Sequence, residues 1–381
     1  MTKGARMGET IDAVALTQEL VRSHTVNPPG NEAAIARRLG ELLAGHGFQV
    51  DYHRLAPERE GFVARIGRGG RALGFTGHLD TVPFGAAPWT HDPLAAEIVD
   101  GRMYGRGTTD MKAGVAAFCA AAVACKEAAA NGPGVELVVT TGEETGSDGA
   151  RAMAEQPGLL GAVGALVVAE PTSNYPMCGH KGAFWLKAVC TGVTAHGSMP
   201  EHGVNAAYKA GRVLTKLSDF GFNAAPHAVM GSPSLNVGTV HAGMNLNSVP
   251  DRAEIGIDIR SIPGIDHAAV KQDLERYLAP DIDAIEVLVD LPSVWTEPDE
   301  PWMRDSFAAL EDILDPPFEA RTATYFTDAS ILTPAYGDIP TLILGPGEAA
   351  MAHQTDEYCE VARIEQAVAA YTRLIEAWQT G

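Results

Sequence analysis

The chain is 381 residues long and 46% hydrophobic, enough to bury a large core in two or three domains, which excludes a disordered or fibrous chain. Its 48 acidic against 28 basic residues give a net charge of −20, which argues against nucleic acid or an anionic membrane as partner, because both demand clustered Lys and Arg. Five cysteines, odd in number and without a CxxC pair, point away from a disulfide framework, and no apolar run has signal-peptide or membrane-spanning length, so a reducing cytoplasm is expected.

Along the chain, apolar residues first recur at helical spacing in IDAVALTQELVRSH (11–24) and NEAAIARRLGELLAGHG (31–47). Two amphipathic helices are predicted, the second with Asn31 as N-cap and Gly45 or Gly47 as its stop. Short β-like runs follow in FQVDYHRL (48–55), GFVARIG (61–67), ALGFTGHLDTV (72–82), VELVVTT (135–141) and ALVVAEP (165–171), the later ones separated by helices predicted over 110–129 and 147–156. Strands alternating with helices predict an α/β sheet covered on both faces. The segment GRGGRA (67–72) fits the G-x-G-x-x-A dinucleotide pattern, yet a strand rather than a helix follows it, so a glycine hairpin turn is expected there.

From Gly182 the pattern changes to strand (182–193), helix (203–220), strand (234–243), strand (252–262), helix (266–279) and strand (284–292). That βαββαβ order is the ferredoxin-like arrangement and is long enough to fold as a small domain. After Pro292 the α/β pattern resumes, with a helix over 301–314, strands ARTATYF (320–326) and TLILGPG (341–347), and a final helix over 361–379. The simplest architecture is one α/β domain, 1–180 and 293–381, interrupted by an inserted domain over 181–292.

Chemistry is suggested by where polar residues fall relative to the strands. Ligands collect beyond the carboxyl ends of strands in open α/β sheets. One strand runs into His78-Leu79-Asp80, the next into Glu143-Glu144, the next into Glu170, and TLILGPG is followed after a short loop by His353. Asp110 sits where GRGTTDMKAG turns into an alanine-rich helix. Each alone has a bland explanation: Asp110 as a helix cap, His78 as a core histidine, Glu170 as a turn residue, His353 as loop surface. Together they put acids and imidazoles on one rim.

Imidazole and carboxylate without thiol suit zinc or a neighbouring divalent metal. Two histidines and three carboxylates exceed the need of one catalytic zinc and suit two metals sharing a carboxylate. Two Zn²⁺, three carboxylates and a bridging hydroxide sum to zero, whereas the cluster without metal repels itself, so metal binding is expected to stabilise the fold. The adjacent Glu143 and Glu144 point to different partners if GEETG turns between them, one ligating metal and the other serving as general base; which does which is open from the residues alone. Asp80, two residues past His78, is placed to accept the second N–H of that histidine.

The motifs GHLDTVP (77–83), GRGTTDMKAG (105–114), TTGEETGS (140–147), AEPTS (169–173), HKG (180–182), AHGSMPEHGVNA (195–206), IDIRSIPG (257–264) and LGPGEAAMAHQTDEY (344–358) carry a resemblance to the M20 metallopeptidases and deacylases over nearly the whole length. That group includes acetylornithine deacetylase, succinyl-diaminopimelate desuccinylase, aminoacylase and glutamate carboxypeptidase. The resemblance implies a mixed-sheet, zinc-peptidase-like catalytic domain and an inserted ferredoxin-like domain acting as lid and dimerisation element. It implies two Zn²⁺, or Co²⁺, with His78 and Glu170 on one metal, Glu144 and His353 on the other, and Asp110 bridging. It also implies Glu143 as general base, Asp80 as the orienter of His78, and a cis peptide at Asp110–Met111. His196 matches a histidine that reaches the partner subunit's site to hold the oxyanion, and Asn247 and Arg260 match groups that grip the substrate carboxylate; as alternatives, His196 is surface and Arg260 pairs with Asp258 or Asp251. EPTS, HKG and LGPG…AHQTDEY lean toward acetylornithine deacetylase, whereas YFTDAS (325–330) departs from the desuccinylase-type GTSDG and leaves Thr327 and Asp328 without a role. The expected activity is hydrolysis of an N-acyl amino acid by a homodimer, with a dipeptidase or carboxypeptidase as the rival enzyme and a non-catalytic metal-dependent binding module as the rival of another class.

Overall fold

The computed structural model describes residues 10–380. Residues 1–9 and 381 fall within the expected bounds of the α/β domain, and 1–9 within the stretch read as lacking a signal-peptide core; both lie outside the described residues. The chain forms two compact units, one running to Gly179 and including Trp295–Ala323 and the residues from Thr327, the other comprising His180–Val294 with Thr324–Phe326.

In chain order the elements are α1 (Ala13–Arg22), α2 (Ala33–Gly45), β1 (Gln49–Ala56), β2 (Arg59–Ile66), β3 (Ala72–His78), α3 (Ala113–Ala124), β4 (Val135–Thr140), α4 (Asp148–Glu155) and β5 (Val163–Val168). The second unit follows as β6 (Ala183–Thr191), α5 (Ala206–Ser218), β7 (Ser234–Ala242), β8 (Arg252–Arg260), α6 (His267–Leu278) and β9 (Ala284–Leu291). The chain returns through α7 (Pro301–Leu310), β10 (Thr341–Ile343) and α8 (Val361–Thr380).

The first unit is built on a six-stranded mixed sheet in the order β1-β2-β4-β3-β5-β10. Strands β4, β3, β5 and β10 run parallel, and β1 and β2 complete one side antiparallel. Parallel strands buried on both faces read as unbroken apolar runs, and all six residues of β4 are buried. Successive side chains alternate faces, so Phe62, Phe75, Leu137 and Val167 share one face, where they meet Leu20 of α1, Leu39 of α2, Phe118 of α3 and Tyr371 of α8 in a single cluster.

Several local expectations change. Asn31 does not cap α2; Glu32 takes that position without a side-chain capping bond, because its carboxylate is buried against Arg59 at 3.0 Å, while the Ala33 N–H donates to the Glu58 carbonyl at 3.0 Å. The glycine run 67–72 is not a hairpin, since β4 lies between β2 and β3; Gly67, Gly69 and Gly70 carry the connection at positive φ. The helix expected over 110–129 starts at Ala113 and breaks at Cys125. ARTATYF forms no strand: only Ala323 makes a β-bridge, its N–H donating to the Gly179 carbonyl at 2.9 Å, while the Cys178 N–H donates to the Arg321 carbonyl at 2.8 Å. The short strands Glu97–Val99, Arg102–Tyr104 and Tyr358–Glu360 make a small sheet that the sequence reading missed.

The second unit has a four-stranded antiparallel sheet in the order β7-β8-β6-β9, with α5 and α6 supplying Val213, Leu217, Val270 and Leu274 to a core shared with Phe184, Leu186, Ile255 and Ile257. Asn205 caps α5 and Asp266 caps α6 through their side-chain oxygens. Strand β7 is an edge with most of its residues exposed. Among the described residues, no helix is long and apolar enough to cross a membrane.

Candidate functional site

The four parallel strands of the first unit end at one edge, because the ladders set His78 opposite Thr140, Thr76 opposite Val168, and Val168 opposite Ile343. His78 closes β3, and the turn Thr141-Gly142 delivers Glu143 and Glu144 beyond β4. Gly142 makes that turn at φ +75°, a conformation that other residues adopt at a cost. Glu170 lies two residues past β5, and Asp110 lies in the tight turn Thr108–Lys112 that leads into α3, with a cis peptide to Met111.

These side chains converge as two overlapping sets. His78, Asp110 and Glu170 offer ligand atoms all within 4.8 Å of one another, and Asp110, Glu144 and His353 do the same. Asp110 is common to both: its Oδ1 stands 3.3 Å from His78 Nε2, and its Oδ2 stands 3.3 Å from His353 Nε2. Glu170 Oε1 is 3.7 Å from His78 Nε2, and Glu144 Oε2 is 3.0 Å from His353 Nε2. Glu143 belongs to neither set, although its Oε2 lies 3.9 Å from His78 Nε2. The neighbouring glutamates therefore do face different partners.

On protein groups alone the cluster is electrostatically frustrated. Burial pushes the carboxyls of Glu143 and Glu170 well above the ordinary range, with neighbouring acids adding to the shift and His78 opposing it. Burial also raises Glu144, reinforced by Asp110. Asp110 goes the other way: burial disfavours its charge, but the neighbouring imidazoles of His353 and His78 outweigh it and hold the carboxyl far below the usual range. Burial would lower His78, yet Asp110, Glu143, Asp80 and Glu170 raise it well above normal, and His353 is pushed up to about 10 by Asp110 and Glu144. Three carboxyls pushed toward the protonated form beside one ionised carboxylate and two imidazoles pushed toward the charged form are a set competing for positive charge.

The residues fit a pair of divalent cations. His78 Nε2 and Glu144 Oε1 are buried without a hydrogen-bond partner, an arrangement that costs about 1–3 kcal/mol per atom unless something binds there. All donors are imidazole nitrogen or carboxylate oxygen, and none of the five cysteines belongs to either set.

The surrounding residues hold these groups in place. His78 Nδ1 sits 2.9 Å from the backbone carbonyl of Asp80 and 3.5 Å from its carboxylate. The Asp80 carboxylate mainly accepts other donors: Gly142 N–H at 2.8 Å, Glu143 and Glu144 N–H at 3.3 Å each, and Asn27 Nδ2 at 2.9 Å. It thus anchors the loop carrying both glutamates, a role wider than the orienting one expected from its spacing to His78. Asn27 also donates to Thr145 Oγ1 at 3.1 Å. Asp328 is buried and accepts Thr140 Oγ1 at 2.5 Å, burial pushing its carboxyl up to about 6, while Thr327 Oγ1 accepts the Ala329 N–H at 3.1 Å. Glu357 and Arg106, a buried pair 2.6 Å apart, tie the Asp110 turn to the segment after His353. Sequence alone does not single out Asn27, Arg106 and Glu357: Arg106 and Glu357 are charged residues inside ligand-bearing motifs, whereas Asn27, some 50 residues before His78, carries no such signal.

The other expected residues lie on the second unit. His196 is exposed, its Nδ1 2.7 Å from Ser198 Oγ, and its segment is joined to that of Asn247 by Gly197 N–H donating to the Asn247 carbonyl at 2.8 Å. Asn247 is exposed as well. Arg260 pairs with Asp258 at 3.0 Å, and Trp185 Nε1 donates to the same carboxylate at 3.0 Å.

The chain has relatives among known proteins in both sequence and fold. Residues 74–377 match the profile described as peptidase family M20/M25/M40. The chain is 30% identical to an acetylornithine deacetylase of Vibrio cholerae over 92% of each chain, and 30% identical to a probable succinyl-diaminopimelate desuccinylase of Staphylococcus epidermidis over 91% of this chain and 93% of that one. Among solved structures, an M20 family metallo-carboxypeptidase from Sulfolobus solfataricus superposes with a TM-score of 0.80 at 16% identity, covering 97% of this chain and 99% of that one.

Proposed function

Since the chain belongs to peptidase family M20/M25/M40, a family of hydrolases acting on amide bonds, we propose that it is a two-zinc amidohydrolase that removes a small acyl group from an N-acyl amino acid, in the manner of an acetylornithine deacetylase. The observation that carries this reading is Glu143: a buried carboxylate 3.9 Å from His78 that is a member of neither ligand set. His78 and Glu170 would hold one cation and Glu144 and His353 the other, with Asp110, common to both sets, serving each. When bound, such cations lower the pKa of water and polarise an amide carbonyl. Glu143 accepts the proton of the attacking water at its carboxylate and passes it to the leaving amine nitrogen. Asp80 fixes the backbone on which Glu143 stands.

His196 holds the developing oxyanion in a partner subunit, and Asn247 and Arg260 grip the substrate carboxylate. Dimerisation through the inserted unit is supported by its exposed edge strand β7, which carries Val240, and by the exposed apolar side chains of Tyr208, Met244 and Leu246 on the same unit. Mixing an inactive Glu143→Ala chain with an inactive His196→Ala chain is expected to restore part of the activity, because one mixed site is then intact. No restoration despite proven subunit exchange argues against the shared site. A cytoplasmic setting is supported by five buried, free cysteines.

Equal identity to a deacetylase and a desuccinylase keeps the second substrate class as the rival, with dipeptides next. A panel of N-acetyl amino acids including acetylornithine, N-succinyl-diaminopimelate and dipeptides separates them. The acetyl substrates are expected to give a kcat/KM at least about tenfold above the rest, equivalent to about 1.4 kcal/mol of transition-state discrimination. A preference for the succinyl substrate or dipeptides overturns the assignment while leaving the hydrolase itself standing.

A further inference from the structure

The two ligand sets are carried by different kinds of structure. His78 and Glu170 extend adjacent parallel strands of the sheet, and both side chains are buried. Glu144 and His353 stand on loops; the His353 side chain is 51% exposed, and its backbone adopts the left-handed conformation at φ +63°. A buried carboxylate ties the segment after His353 to the turn that carries Asp110.

Glu357, four residues past His353, is fully buried and accepts the N–H groups of Gly107 at 3.1 Å, Thr109 at 2.8 Å and Asp110 at 3.1 Å. Arg106 Nη1 completes its shell at 2.6 Å, and Nη2 of the same guanidinium donates to the carbonyls of Pro83 at 3.2 Å and His353 at 3.4 Å. Thr109 Oγ1 adds a bond to the Tyr358 carbonyl at 2.6 Å. The Arg106–Glu357 pair therefore joins the backbone of Asp110 to the backbone of His353.

We propose that Glu357, together with Arg106, is a positioning residue that governs the second cation selectively, the one held by Asp110, Glu144 and His353. This rests on the two-cation reading above and adds a division of labour to it. Releasing the clamp loosens two of the three donors of the second set, Asp110 and His353, at once. In the first set it loosens Asp110 alone, while His78 and Glu170 stay fixed by the sheet edge. A bridging carboxylate serves both ions, but only one of its oxygens faces the loop that the clamp secures.

The test is titration of metal-stripped full-length protein with Zn²⁺ against a chromophoric chelator. Wild type is expected to take two equivalents. Glu357→Gln is expected to keep the first and to bind the second about 10–100-fold more weakly, the range typical of losing a residue that orients a ligand. Because that variant strands a buried guanidinium and risks misfolding, Arg106→Lys provides a second arm: it keeps a cation beside Glu357, loses the fork that reaches His353, and is expected to give the same selective weakening with smaller amplitude. Equal weakening of both equivalents, or of neither, in the variants that fold overturns the proposal. A wild type that binds fewer than two cations refutes the function assigned above instead, so the two failures are told apart.

Discussion

Glu143→Ala and Glu143→Asp are both expected to abolish turnover while each chain still takes up two cations. Glu143 is outside both ligand sets, so its removal deletes no metal donor. Its loss removes the group to which the proposed mechanism gives the proton transfer between water and leaving amine, a contribution on the order of 10²–10⁴ in rate. Aspartate keeps the charge but withdraws the carboxylate by one methylene, and a displacement of about 1 Å can itself cost about 10²-fold. The adjacent Glu144 does not substitute, because Asp80 fixes the loop backbone through Gly142, Glu143 and Glu144 and thereby fixes which way each side chain leaves it. Steady-state rates on an N-acetyl amino acid, paired with metal analysis by plasma emission, check both halves. A variant that keeps most of its rate removes the base assignment.

Much of this was legible in the chain because strands announce themselves by apolar runs and end at polar residues. Four parallel strands necessarily end at the same edge, so His78, Glu143, Glu144 and Glu170 could be placed together from order alone. Local bonding was less legible. Nothing in NEAA distinguishes an Asn31 cap from a start set by Glu32, because the deciding contact is with Arg59, distant in sequence. ARTATYF reads as a strand, but only Ala323 of it forms a β-bridge, through Gly179, a partner some 140 residues upstream that the letters do not reveal. The clamp at Glu357 was invisible for a similar reason: a buried glutamate bonded to three backbone N–H groups has the same letter as a solvated one, and its donors lie about 250 residues upstream. Asp80 was read by its spacing to His78, whereas its carboxylate spends its acceptor capacity on a turn some 60 residues further along.

Removing the cations is expected to stop turnover entirely and to destabilise the fold. Asp110, Glu143, Glu144 and Glu170 crowd one buried edge, and burial raises three of them well above or above their ordinary range, so bare protein must hold protons or strain to keep them together. A ligand present at about 1,000 times its dissociation constant stabilises the folded state by about 4 kcal/mol, which for a domain of this size corresponds to roughly 8–16 °C in Tm. The linkage has a definite sign with pH: protons compete with cations for the same imidazoles and carboxylates, so affinity falls as the medium is acidified. The number of cations retained per chain, counted by plasma emission after chelation, refilling with Zn²⁺ and desalting, tests the paired centre most directly in wild type and in Asp110→Asn. Two per chain in wild type, falling below one in the variant, is the predicted result. One or none in wild type, or two retained without the Asp110 carboxylate, contradicts a centre in which that side chain is shared.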